Sequence, residues 1–178
     1  MNKIVEFFKN GRTWLFIVFF VLVFGLGTGN HFWYEVSGGS NEIKWFAASD
    51  ESVFSHLKLV LWPWMLCLAI SWVLGRRCDI RSYSGGVVGL YVYIVTVLTL
   101  FYFYTEGLGH PHNLAADISI FVLGIIFGLT AWAGLSRHTV PLPYEITVGT
   151  LGLVGILVWM VTCSYHKCAN VYEIPVEP

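Results

Sequence analysis

Hydrophobic and polar positions fall along this chain in long blocks rather than in short alternation. Charge-free intervals run from Thr13 to Tyr34, Leu59 to Gly75, Ser82 to Thr105, Ile118 to Ser136 and Ile146 to His166, each closed by an ionisable residue at both ends. A helix of about 20 apolar residues crosses the hydrocarbon layer of a bilayer. The pattern therefore predicts an all-α, polytopic membrane bundle of five transmembrane helices, with spans at 13–36, 51–75, 83–105, 114–136 and 145–166 in a single integral membrane domain. The second interval is short, so its helix is expected to begin near Glu51, with Lys58 stretching its stem towards the headgroups. Asp50 and Asn113 are the expected N-caps of the second and fourth helices. Ser37-Gly38-Gly39-Ser40, Gly107-Leu108-Gly109-His110-Pro111 and Val140-Pro141-Leu142-Pro143 supply breaks.

Composition agrees with the pattern. Of 178 residues, 56% are hydrophobic and 12% charged, against about 25% charged in soluble domains, and the mean hydropathy is +0.68. A net charge of −1 and the lack of a polybasic run set nucleic-acid binding aside. Lys3, Lys9 and Arg12 ahead of an apolar run imitate a secretory signal, but the run is long for one, and an uncleaved first helix is expected. Basic residues in short loops are retained on the cytoplasmic side. Lys3, Lys9, Arg12, Arg76, Arg77, Arg81 and Arg137 fall on the N-terminal side, and Lys44, Lys58 and Lys167 on the other. The N-terminus is thus expected in the cytoplasm and the C-terminus outside, in a bacterial cell membrane.

That orientation places His31, His56, His110, His112 and His166 at the outer face or its boundary, with most of the carboxylates. Small residues let helices approach in lipid, and the pairs Gly25/Gly29, Gly85/Gly89 and Gly124/Gly128, with Gly149, Gly152 and Gly155, are the expected contacts. Trp33, Trp62, Trp64, Tyr102 and Tyr104 stand where an outer aromatic belt would.

Candidate chemistry gathers near the outer ends. His31 and Glu35 lie four apart on one helical face, a pair able to hold a metal or to fix the imidazole tautomer; an interfacial ion pair explains them equally. In the second helix, Glu51, Ser52, Ser55, His56 and Lys58 share the polar arc, expected to face inward, opposite Val53, Phe54 and Leu57. Capping and dipole compensation account for Asp50 and Glu51 without a ligand. Asp117 lies on the stripe of Phe121, Gly124 and Gly128 and so should point into the bundle, where it needs a partner; His110, His112 or Lys58 are the candidates. Thr99, Tyr102 and Glu106 align along the third helix and could extend the polar patch. Cys163 and Cys168 admit a disulfide, a metal clip with His166, or two free thiols. His-Glu-x-x-His, Gly-x-Ser-x-Gly and phosphate-binding glycine motifs are all missing.

The blocks His31-Phe32-Trp33-Tyr34-Glu35-Val36-Ser37-Gly38, Asp50-Glu51-Ser52-Val53-Phe54-Ser55-His56-Leu57-Lys58 and Asp117-Ile118-Ser119-Ile120-Phe121 resemble a family of small bacterial membrane proteins, domain of unknown function 6512. Asp50 stands where that family tends to have Asn, Ser55 where it often has an acidic residue, and the C-terminal tail matches poorly. The resemblance carries no activity. It implies that His31, Glu35, Glu51, His56, Lys58 and Asp117 occupy motif positions and act together.

The expected function is an outer-face pocket that binds a divalent cation (zinc, iron or manganese) or a small polar ligand. His31, Glu35, Glu51, His56 and Asp117 are its metal-ligand candidates, with His110 and His112 behind them. Lys58 is an anion contact or counter-charge, and Glu51, His56, Lys58 and Asp117 would be the catalytic groups if a bound metal activated water for hydrolysis. The bilayer is the expected partner, with a homo-oligomer or a membrane partner protein alongside it. The rival expectations are a non-catalytic accessory subunit docking a partner through glycine faces, and an ion or small-solute transport component. Against the last, the inner half of each span lacks ionisable residues.

Overall fold

The computed structural model describes residues 11–38, 43, 47, 53–78, 83–111, 113–138 and 140–165. They form five long helices: α1 (Gly11–Val36), α2 (Val53–Cys78), α3 (Tyr83–Tyr102), α4 (Leu114–Leu135) and α5 (Leu142–Tyr165), with a π-helical turn at Phe103–Gly107 closing α3. Among the described residues there is no strand. All five helices are long and apolar enough to cross a membrane, with candidate spans Thr13–Tyr34, His56–Val73, Tyr83–Gly107, Leu114–Leu135 and Leu142–Thr162.

Turn chemistry sets several boundaries. Past the end of α1, Gly38 takes φ 72°, the left-handed conformation that a side chain disfavours, while the Ser37 hydroxyl donates to the Tyr34 carbonyl at 2.7 Å. Gly109 takes φ 64° beyond the π turn. Asn113 caps α4 as expected, its side chain accepting from the amides of Ala115 and Ala116. Asp50 and Glu51 lie outside the described residues.

α1 to α4 close a four-helix ring in which each packs on its chain neighbour and α4 returns to α1; α5 lies outside it, mainly against α3. The tightest seam is α3 on α4. A Cβ on Gly89 would come within 2.6 Å of the Gly128 carbonyl oxygen, and one on Gly128 within 2.6 Å of the Gly89 carbonyl oxygen. The two backbones touch there, and indoles fill the space on either side. Trp64 and Trp132 are fully buried, with ring centroids 5.8 Å apart, and the Trp64 Nε1–H donates to the Gly86 carbonyl at 2.9 Å. Trp64 is thus a core residue and not part of an aromatic belt, because the glycines of α3 open the volume its ring occupies.

The second glycine row works the same way. Gly149, Gly152 and Gly155 of α5 receive Tyr83, Val87 and Tyr91 of α3, and the Tyr91 hydroxyl donates to the Gly152 carbonyl at 2.9 Å. In α1 the contact glycine is Gly27, which is buried against Leu59 and Phe121, whereas Gly25 and Gly29 are exposed with nothing near them. The first turns of α2 also depart from expectation: Val53 and Leu57 are buried together with Lys58. Ala47, before α2, is fully buried too, so Val53 and Leu57 do not form the expected apolar outer arc.

A Cβ at position 128 must displace backbone, which a flexible side chain cannot absorb, and overpacking of this kind costs about 1–3 kcal/mol or more. Gly128→Ala is expected to lower stability by about 2 kcal/mol or more, and Gly29→Ala to leave it unchanged or raise it by up to about 1 kcal/mol. Unfolding of the purified variants in one detergent measures both.

Candidate functional site

Four helices contribute to one cavity at the end of the bundle where α1 and α3 finish and α2 and α4 begin. Its volume is about 430 Å³, and it is lined by Thr28 and His31 of α1, His56 and Leu59 of α2, Tyr93, Val97 and Phe101 of α3, and Asp117 and Phe121 of α4, with further apolar residues between them. Small-molecule sites typically occupy about 300–1,000 Å³, with apolar walls and a few placed polar groups, and this cavity has that character.

The imidazoles of His31 and His56 face each other across α1 and α2, ring centroids 5.2 Å apart at 51°. His31 reaches the cavity because it follows Phe24 and Thr28 on one stripe of α1. Asp117 points inward on the glycine stripe of α4, as its spacing required. The Tyr104 hydroxyl donates to its Oδ1 at 2.5 Å. Tyr104 had no expected chemistry, yet it continues the inner stripe of α3 through Tyr93, Val97 and Phe101, and this register was the signal that could have found it. The other stripe turns outward: Thr99 and Glu106 are exposed.

Two further groups went unrecognised in the sequence. Tyr93 is fully buried, wedged against Gly124 and set edge-on to Phe121 with centroids 6.2 Å apart; it lines the cavity, and its hydroxyl has no hydrogen-bond partner among the described residues. Pro63 lies inside α2, so the Leu59 carbonyl one turn earlier loses its usual intrahelical amide donor. The backbone of α1 approaches that carbonyl at Gly27.

The remaining candidates disperse or fall outside the described residues. Lys58 is buried, 7% exposed, but is not among the residues lining the cavity. His110 is exposed and belongs to a separate, open recess with Tyr104 and Asn113. Cys67 is buried in α2, and Glu145 is buried near the start of α5, at the opposite end of the bundle. Glu51, His112, His166 and Cys168 lie outside the described residues, as do the side chains of Glu35, Cys78 and Cys163. Among the described residues no three His, Cys, Asp or Glu side chains gather as a metal site.

Fold and site together define an all-helical chain with five helices long enough to span a membrane and a mostly apolar cavity at one end of the bundle. The chain belongs to the family of unknown function DUF6512, whose profile matches residues 3–172. No curated protein and no solved structure shows significant similarity to it.

A hydrogen bond to a charged group contributes about 1.5–3 kcal/mol. Tyr104→Phe is therefore expected to destabilise the fold by that amount, and by clearly less when Asp117 is already Asn. A double-mutant cycle of thermal unfolding measures the coupling, and additive effects would refute the Tyr104–Asp117 bond.

Proposed function

We propose that this protein is a multi-pass protein of the cell membrane that binds a small molecule in the cavity between α1, α2, α3 and α4. The observation that carries the reading is convergence: His31, His56 and Asp117, far apart in the chain and on three helices, line one void of about 430 Å³. Ionisable groups at membrane depth are expensive and commonly mark a ligand or ion path. Walls of Phe24, Val97, Phe101 and Phe121 suit an apolar body, and the imidazoles with Asp117 suit a polar head. The distribution of Lys and Arg supports an N-terminus in the cytoplasm and the cavity near the outer face.

Native mass spectrometry of the chain released from its own membranes tests this directly. One small molecule per chain is expected on the wild type, retained in Leu151→Trp on the outer face of α5 and lost in Ile118→Trp, which sets an indole at the half-exposed rim of the cavity and obstructs it. A bare wild-type chain, or retention in Ile118→Trp, contradicts the reading. For orientation, a reporter active only outside the cytoplasm is expected to work when fused after Gly109 and to fail after Arg137; the reverse result overturns the topology.

The imidazole pair favours a second reading, a divalent metal. Rings 5.2 Å apart leave room for one ion between two nitrogens at bond lengths of about 2.0–2.1 Å, with further donors required. Metal analysis of the purified protein should then find a stoichiometric ion that His56→Ala loses.

A further inference from the structure

The polar side chains lining the cavity are the Thr28 hydroxyl, the His31 and His56 imidazoles, the Tyr93 phenol and the Asp117 carboxylate; the first four can donate or accept, and the ionised carboxylate alone is purely an acceptor. Asp117 supplies a carboxylate, and it is the one formally charged side chain among the described residues lining the cavity. Tyr93 adds a buried phenol oxygen that has no partner among the described residues; such a group is expensive in an apolar interior and calls for a ligand atom. No lysine or arginine is among these lining residues.

The walls carry the same sign. Phe24, Phe101, Phe121 and Tyr93 surround the void, and aromatic faces attract cations through the ring quadrupole, most strongly where water is excluded. Tyr93 lies eight residues below Phe101, roughly 12 Å of helix, so the chamber is deep enough for an extended body behind a polar head.

The exposed lining residues fall on two helices. Phe32 is 57% exposed on α1, and Leu114 and Ile118 are 71% and 49% exposed on α4. These three are apolar, and the fourth exposed lining residue, Thr28 of α1, gives its hydroxyl to the Phe24 carbonyl, which makes the α1–α4 seam a doorway suited to a molecule already dissolved in the bilayer.

We propose that the occupant of this cavity is a lipophilic organic cation, an ammonium group on an apolar or aromatic body, entering sideways between α1 and α4 with its charge at Asp117. The inference rests on the small-molecule reading above and narrows it to one chemical class.

Three probes of nearly equal shape test it on the full chain in nanodiscs of zwitterionic lipid: 4-phenylbutyl-trimethylammonium, its neutral carbon isostere in which the nitrogen is replaced by carbon, and 5-phenylpentanoate. Equilibrium dialysis against empty discs corrects for partitioning. The cation is expected to saturate at one per chain and to bind at least tenfold more tightly than the isostere. Asp117→Asn, whose amide oxygen can still accept from Tyr104 and whose helical circular-dichroism spectrum should match the wild type, should abolish that preference; Asp117→Glu should retain a preference of several-fold.

Equal or tighter binding of the isostere or of phenylpentanoate, blocked by Ile118→Trp, overturns the cation inference and leaves the small-molecule pocket standing. An undiminished cation preference in Asp117→Asn also overturns the inference. Absence of saturable binding by all three probes, with wild type and Ile118→Trp indistinguishable, overturns the pocket itself.

Discussion

The backbone contact between Gly89 and Gly128 is the constraint on which the rest of the bundle depends. Helices this apolar would have no hydrophobic drive to associate in lipid and would rely on close packing, and here two helix backbones approach until carbonyl oxygens crowd the space where Cβ atoms would lie. Once α3 and α4 are that close, Trp64 and Trp132 must fill the flanks, and Tyr93 can cross only over Gly124. The same seam continues outward to Phe101, Tyr104 and Asp117. The cavity lies at that end of the bundle, bordered by residues of α1, α2, α3 and α4.

Polarity within the bundle follows from that geometry. Asp117 stands on the inner stripe of α4 and accepts from Tyr104 on the inner stripe of α3, so the carboxylate is met by a donor from the neighbouring helix. α1 and α2 add the two imidazoles from the other side. Pro63 contributes through the backbone, by freeing an acceptor that Gly27 allows α1 to approach. Each of these groups is set by helix register and not by a loop, which suits a site that holds a fixed shape.

Much of this architecture was legible in the amino-acid sequence. Charge-free intervals mark the five helices because an ionisable residue within hydrocarbon is costly, and Asp117 could be aimed inward from its spacing to Gly124 and Gly128. The partner of Asp117 was harder to see: charge arithmetic pointed to His110, His112 or Lys58, whereas the stripe of Tyr93, Val97 and Phe101 leads to Tyr104. Trp64 looked like a belt residue, since position along a helix does not reveal which face is turned inward. Gly27 was hidden beside Gly25 and Gly29, whose four-residue spacing matches the usual contact motif but whose face lies open. The loss of the i+4 donor at the Leu59 carbonyl needed only Pro63 to be noticed.

The central claim is that the imidazoles of α1 and α2 meet inside the bundle. Magic-angle-spinning NMR of histidine-labelled protein in lipid bilayers measures that proximity directly. Ring centroids 5.2 Å apart predict a carbon–carbon cross-peak between His31 and His56 that vanishes in His56→Ala. Isolated imidazole signals from both residues, with no transfer between them at long mixing times, would contradict the account.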